Sequence, residues 1–264
     1  MNKDYSKLHT FVVCAYKESP YLEKCVCSLL NQSVKSTIMI ATSTDNIYIR
    51  NIADKYKIPL HISSEPSNIA TDWNFAYGLA KTKYVTLAHQ DDIYDVDYVE
   101  EFREYVKQHK DILIYFSNYY EIKNDKKIYD GRNLKIKKIL LKPLKVFKYN
   151  KFVRRRVLAF GNSICCPAVT YDKENLPKNL FKKGLKSNID WETWEDISKL
   201  HGAFLYNEKQ LMGHRVHENS TTTEIIESNQ RTIEDLELLK KFWPVPIAKL
   251  INKFYKKAED SNSI

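Results

Sequence analysis

The chain has 264 residues, 43% of them hydrophobic, enough to bury the core of one large α/β domain and to exclude a wholly disordered chain. Its formal charge of +9 is unevenly placed: residues 123–156 carry fourteen Lys and Arg against Asp125 and Asp130, a local +12, and the remainder is slightly acidic. No apolar run reaches the roughly 20 residues that span a bilayer, residues 1–10 lack the apolar centre of a secretion signal, and five cysteines form neither paired metal spacing nor an even disulfide set. These features set the expectation of a cytoplasmic protein with reduced, mostly buried thiols. The basic block suits an anionic partner or a solvated face, and charge alone does not choose between them.

Taken in chain order, residues 8–15 (LHTFVVCA) predict a strand, and the helix after Ser19-Pro20 carries apolar Leu22, Val26, Leu29 and Leu30 at helical spacing. A strand is expected at 37–41, a helix at 47–56, a strand at 59–62, a helix at 70–80 and a buried strand at 84–88. Strands alternating with helices of about ten residues indicate βαβ units and a mainly parallel sheet flanked by helices. Beyond residue 94 the expected elements are a helix at 96–109, a strand at 112–117, an irregular segment at 160–171 and a helix at 190–200. The tail, residues 232–257, reads as helix broken at Trp243-Pro244-Val245-Pro246.

Open parallel sheets bind ligands beyond the carboxyl ends of their strands. That rule points to Tyr16 and Lys17, to residues 42–45, and to His89-Gln90-Asp91-Asp92, each directly after a predicted strand. Two adjacent carboxylates repel one another, and a divalent cation held with phosphate oxygens offsets that repulsion. The same two acids would also suit the N-terminus of a helix, and spacing alone leaves both readings open.

Residues 11–32 (FVVCAYKESPYLEKCVCSLLNQ) resemble the opening of family 2 glycosyltransferases of the GT-A fold. The likeness continues through Asp72-Trp73-Asn74, through Lys83-Tyr84-Val85 into the acid pair, and on to Phe160-Gly161-Asn162, residues 190–197 and residues 213–221, loosely between 120 and 158. It implies a nucleotide-diphosphate sugar donor, a divalent metal (Mn or Mg) and inversion at the transferred sugar. By position, Ala15 and Tyr16 would hold the base, with Asp45 and Asn74 as further donor contacts. The family's Asp-x-Asp-Asp becomes His89-Gln90-Asp91-Asp92 here. Gln90 and Asp91 would then face the donor, with Asp91 and Asp92 at the metal.

The segment 188–196 (NIDWETWED) resembles the family's stretch carrying the general base. This maps the base to Asp190, with Glu192 as second candidate and an N-cap as the plain structural role for Asp190. Residues 213–220 (GHRVHENS) resemble the family's Arg-x-His segment, which implies Arg215 on the diphosphate and His217 in the metal shell. The polar run that follows, including Thr221 to Thr223, would serve as a lid.

In the tail, Ile247, Leu250, Ile251, Phe254 and Tyr255 fall at helical spacing among Lys249, Lys253, Lys256 and Lys257. Such a stripe fits an anionic membrane surface or packing on the domain. The expected organisation is a GT-A domain at 1–225, divided into a nucleotide-sugar half (1–120) and an acceptor half (121–225), followed by a C-terminal helical extension at 226–264. The expected acceptor is a glycan or lipid-linked hydroxyl, as in cell-surface polysaccharide synthesis, with peripheral attachment to the inner face of the membrane. A sugar nucleotidyltransferase is the enzymatic rival, but residues 17–20 read Lys-Glu-Ser-Pro where its Gly-rich phosphate loop would stand. A basic nucleic-acid-binding module would explain the charge and leave the acid pair without a role, and no nucleic-acid partner is expected.

Overall fold

In the computed structural model, residues 4–217 and 230–260 are described, with side chains to residue 254. Strands β1 (His9–Ala15), β2 (Thr37–Thr42), β3 (Leu60–Ile62) and β4 (Tyr84–His89) are parallel and lie in the order β3-β2-β1-β4. Helices α1 (Leu22–Leu30), α2 (Ile47–Tyr56) and α3 (Ile69–Leu79) connect them, each after the strand that precedes it. Asn46 and Asn68 start α2 and α3 by accepting the N–H of Ile49 at 2.9 Å and of Ala70 at 3.1 Å.

Past β4 the sheet becomes mixed. Order continues through β8 (Val169–Asp172), β6 (Ile112–Lys123), β9 (Ala203–Val216) and β5 (Ile93–Tyr94), while β7 (Lys126–Ile128) forms a hairpin with β6. The pairings β4–β8, β6–β8, β6–β7 and β5–β9 are antiparallel, and β6–β9 is parallel. The expectation of a mainly parallel sheet therefore holds for the first half only. The strand expected at 112–117 runs on to Lys123, β8 occupies part of the segment read as irregular, and β9 has no counterpart among the predicted elements.

Alternating residues send their side chains to opposite faces of β1, as the period of a strand requires. Phe11, Val13 and Ala15 join one core with Val26, Ile40, Ile49, Tyr98 and Phe102. Val12 joins the other with Tyr77, Leu87, Phe116, Tyr171, Trp191 and Trp194. Each fully buried large apolar side chain contributes about 1.5–3 kcal/mol. Gly213 sits where β9 crosses β6: a Cβ there would lie 2.6 Å from the Tyr120 ring, so only glycine lets the two strands approach.

The basic stretch, for which the sequence predicts no element, is helical: α5 (Arg132–Leu141), α6 (Pro143–Phe147) and α7 (Lys151–Leu158), following α4 (Tyr98–Lys107). Helix α7 is fastened to α8 (Ile189–Ile197) and to the turn behind it. The fully buried Arg154 donates to the carbonyls of Leu200 (2.8 Å) and Gly202 (2.5 Å), Arg155 pairs with Glu195, and the Trp191 indole donates to the Leu158 carbonyl at 3.1 Å.

The C-terminal extension packs into the fold. In α9 (Gln230–Lys240), Leu238 and Leu239 are buried, and in α10 (Val245–Asp260) Ala248 is buried and Ile251 packs on the same core. Ile247, Leu250 and Phe254 stay exposed. The tail stripe thus serves packing with one edge and leaves the other uncovered among the described residues. All five cysteines are free thiols, and no helix among the described residues is long and apolar enough to cross a membrane.

Candidate active site

The exits of β1, β2 and β4 meet, as the topology of a parallel sheet dictates. Gln90 ties two of them: its carboxamide oxygen accepts the Tyr16 N–H at 3.0 Å, and its amide donates to the Tyr16 carbonyl at 2.9 Å. Lys17, in the left-handed region at φ 52°, donates its N–H to Thr44 Oγ1 at 2.5 Å and so ties in the third. Ala15 is buried beneath this turn and the Tyr16 ring is exposed at its mouth. Asp45 forms an ion pair with Arg50 at the edge of the group.

The two acids occupy unequal places. Asp91 is partly open: Oδ1 accepts from the Ser19 hydroxyl at 2.5 Å, and Oδ2 lies 3.4 Å from His217 Nε2. Asp92 is 1% exposed, with Oδ1 accepting the Arg215 N–H at 2.8 Å and lying 3.1 Å from His214 Nδ1. Its Oδ2 is buried without a hydrogen-bond partner among the described residues. Burial works to raise the Asp92 pKa, but His214 and the Arg215 N–H outweigh it and hold the carboxyl below its ordinary value. Burial likewise disfavours a charged His214, and the Asp92 carboxylate overcomes this and raises the imidazole.

Arg215 and Asn74 are engaged with the protein itself. Arg215 is buried, donates Nε to the Asp91 carbonyl at 3.1 Å and Nη1 to Asp125 at 2.9 Å, and stacks its guanidinium 4.2 Å from the Tyr21 ring centroid. It shapes the loop bearing Asp91. Asn74 donates to the Phe181 carbonyl at 2.6 Å and accepts the N–H groups of Leu180 and Phe181 at 2.9 and 3.0 Å, a clamp on that loop.

His89, which stands where the family's first acid would be, stacks on Trp73 with ring centroids 5.2 Å apart and planes 26° from parallel. Burial lowers its pKa, and its Nε2 has no hydrogen-bond partner among the described residues. Asp190, at the start of α8, lies near enough to His89 for each to feel the other's charge. Asn162 donates to Asp190 Oδ2 at 2.6 Å, and the Trp191 N–H donates to Oδ1 at 2.8 Å. Burial raises the Asp190 carboxyl above its ordinary pKa despite these donors. Glu192, two residues on, is held by Lys182 at 3.2 Å and Lys241 at 2.5 Å, among residues that line a separate cavity of about 280 Å³.

Ser19, Tyr21, Trp73, Asn162 and Asp125 join this site without having been singled out for it. Ser19 lies 72 residues from Asp91 and Asp125 lies 90 from Arg215, separations that only the fold closes. The polar run expected to act as a lid, including Thr221 to Thr223, lies outside the described residues.

Residues 10–171, more than half the chain, match the sequence profile of glycosyl transferase family 2. The chain belongs to that family. It is a glycosyltransferase, and its fold is the GT-A fold of solved members. The Staphylococcus aureus protein TarS (residues 1–349), in complex with UDP-GlcNAc, superposes with a TM-score of 0.61 at 14% identity, over 97% of this chain and 73% of that one. The mannosyltransferase PcManGT of Pyrobaculum calidifontis, in complex with GDP-Man and Mn²⁺, superposes with a TM-score of 0.61 at 13% identity, over 98% and 77%. Curated protein sequences yield no match. At these identities the likeness to the solved structures is one of fold, and the family match supplies the activity class.

Proposed function

We propose that this family 2 glycosyltransferase moves a sugar from a nucleotide-diphosphate donor to a hydroxyl of a glycan or lipid-linked acceptor, with inversion. Residues 1–120 would hold the donor and residues 121–225 would frame the acceptor. The observation that carries the reading is the approach of Asp91 Oδ2 to His217 Nε2, 3.4 Å apart at the exit of β4.

A divalent cation fits these residues. A carboxylate and an imidazole stand side by side, and the unpartnered Oδ2 of Asp92 leaves buried negative charge beside them. Among the described residues no group of three His, Cys, Asp or Glu side chains is placed to hold a metal ion. Mg²⁺ needs fewer, since it takes one or two protein carboxylates and completes its shell with water and phosphate oxygens. Asp91 and His217 would hold the ion and Asp92 would back it; when bound, the ion neutralises charge on the departing diphosphate.

Asp190 acts as the base. Its carboxylate takes the proton of the acceptor hydroxyl, whose oxygen forms a bond to the anomeric carbon as the bond from that carbon to the diphosphate oxygen breaks. Asn162 and the Trp191 N–H fix the carboxylate in place, and the raised pKa makes it a stronger base than an exposed aspartate. The Gln90–Tyr16 link holds the base-binding side of the cleft.

Thermal-shift titration with nucleoside diphosphates and Mn²⁺ tests the donor side, because a ligand of the native state raises stability with its affinity. A nucleotide that stabilises the wild type only with Mn²⁺, and leaves Asp91→Ala unmoved, is the expected result. Equal stabilisation of both proteins would remove Asp91 from the metal.

A further inference from the structure

Helices α5 and α6 form one nearly continuous rod, since the single residue between them, Lys142, keeps α-helical dihedrals (φ −50°, ψ −40°). The rod packs on the protein through Leu134, Leu141 and Leu144, all buried. At about 100° per residue those three lie on one side. Ile136, Ile139, Pro143, Val146 and Phe147 fall on the opposite side, and the four large ones are exposed at 46%, 63%, 73% and 52%. A surface helix ordinarily carries polar residues there. This rod instead has apolar residues on both faces, with Lys135, Lys138 and Lys142 along one flank.

The segment that carries it has charge of one sign, with Glu208 and Asp130 paired to Lys145 and Lys135 at its edge. Residues 131–171 contain eleven Lys and Arg and no acid. Arg132, Lys138, Lys142 and Lys151 are exposed and form no ion pair among the described residues. Exposed Phe152 lies beside Arg156 on α7 and extends the same chemistry.

We propose that the α5–α6 rod is a membrane-seating surface that lies in the plane of an anionic bilayer, its outer stripe among the acyl-chain boundary and its lysines at the headgroups. An apolar stripe flanked by cations is what that interface selects. A nucleic acid would engage the cations and leave Ile139, Val146 and Phe147 in water, because recognition there runs through phosphate contacts and aromatic stacking. The inference is independent of the donor and metal assignments, and it places the principal contact on the rod rather than on the tail helix α10.

The test is vesicle flotation of the full chain with phosphatidylglycerol-rich or pure phosphatidylcholine vesicles. The wild type is expected to float with the anionic vesicles and far less with the neutral ones. Ile139→Glu/Phe147→Glu should lose at least about tenfold in partitioning, because it removes apolar contact and adds like charge to the anionic surface. Lys138→Ser/Lys142→Ser should lose roughly fivefold per lysine on anionic vesicles only. Leu250→Glu/Phe254→Glu, on α10, should stay near wild type. Unchanged melting temperature and unchanged nucleotide-induced stabilisation would show that the rod variants remain folded. The proposal is overturned if the wild type does not float, if it floats equally on both lipids, or if only the α10 variant loses binding. It is also overturned if the stripe instead mediates a self-association that light scattering detects and Ile139→Glu/Phe147→Glu dissolves.

Discussion

The Glu234 carboxylate, on α9, accepts the backbone N–H of Asn188 at 3.1 Å, at the foot of α8. It also accepts the N–H groups of Lys186 and Ser187 at 2.9 Å each and the Ser187 hydroxyl at 2.7 Å. One acid from the C-terminal extension thus braces the turn that enters the helix whose second residue is Asp190. Negative charge is favoured at such an end, where N–H groups point outward without helical partners.

Glu234→Ala is therefore expected to lower stability by about 1–3 kcal/mol and to reduce kcat more than KM. Burial tends to raise the Glu234 pKa, but its N–H donors prevail and hold it below the usual glutamate value. A lowered folded-state pKa means that the stabilisation is complete above the unfolded glutamate pKa and is lost as pH falls through the folded one. Melting temperature measured against pH should drop on the acid side in the wild type, and Glu234→Gln should flatten that drop.

Asp190→Asn should reduce turnover by about 10²–10⁴-fold while leaving nucleotide-induced stabilisation intact. Because burial raises the wild-type carboxyl, the rate should rise with pH through a value above that of an exposed aspartate. The sign for stability is opposite. A raised folded-state pKa destabilises the native state once pH exceeds the unfolded value, so Asp190→Asn should melt slightly higher than wild type at neutral pH. A variant that melts lower would show that the carboxylate is needed for structure.

Asp91 and Asp92 should separate under mutation. Asp91→Asn is expected to keep its melting temperature and lose the Mn²⁺-dependent response to nucleotide. Asp92→Ala strands the Arg215 N–H and takes the partner from His214, so a loss of about 1–3 kcal/mol is expected. Calorimetric melting of the two proteins distinguishes the roles directly.

Gly213→Ala drives a methyl group into the Tyr120 ring and the Ile122 side chain, and overpacking of this kind costs about 1–3 kcal/mol. Since His214, Arg215 and His217 follow on the same strand end, nucleotide affinity should fall together with melting temperature.

The parallel half of the molecule was legible because β1 to β4 are short, apolar and separated by helices, so period and punctuation agree there. The second half was not. Strand β9 is interrupted by Asn207-Glu208-Lys209-Gln210, and its register against β6 shifts near this point, so no continuous alternation marks its 14 residues. In α5–α7 the density of lysine hid apolar residues that stand at helical spacing. At the site, Asp91, Asp190 and His217 could be named from local motifs. The roles of Ser19, Asn162 and Glu234 could not, because each acts on a segment tens of residues away in the chain.

Arg154 adds a mechanical corollary. With its guanidinium sealed between α7 and the carbonyls at Leu200 and Gly202, and with Arg155 locked to Glu195, helix α7 is fastened to the far end of α8. On the proposed membrane seating, these bonds would set the height of the Asp190 carboxylate above the surface from the α7 side. On that reading, an acceptor anchored in that surface would have to project its hydroxyl to that height, and the fold would gauge the length of the acceptor.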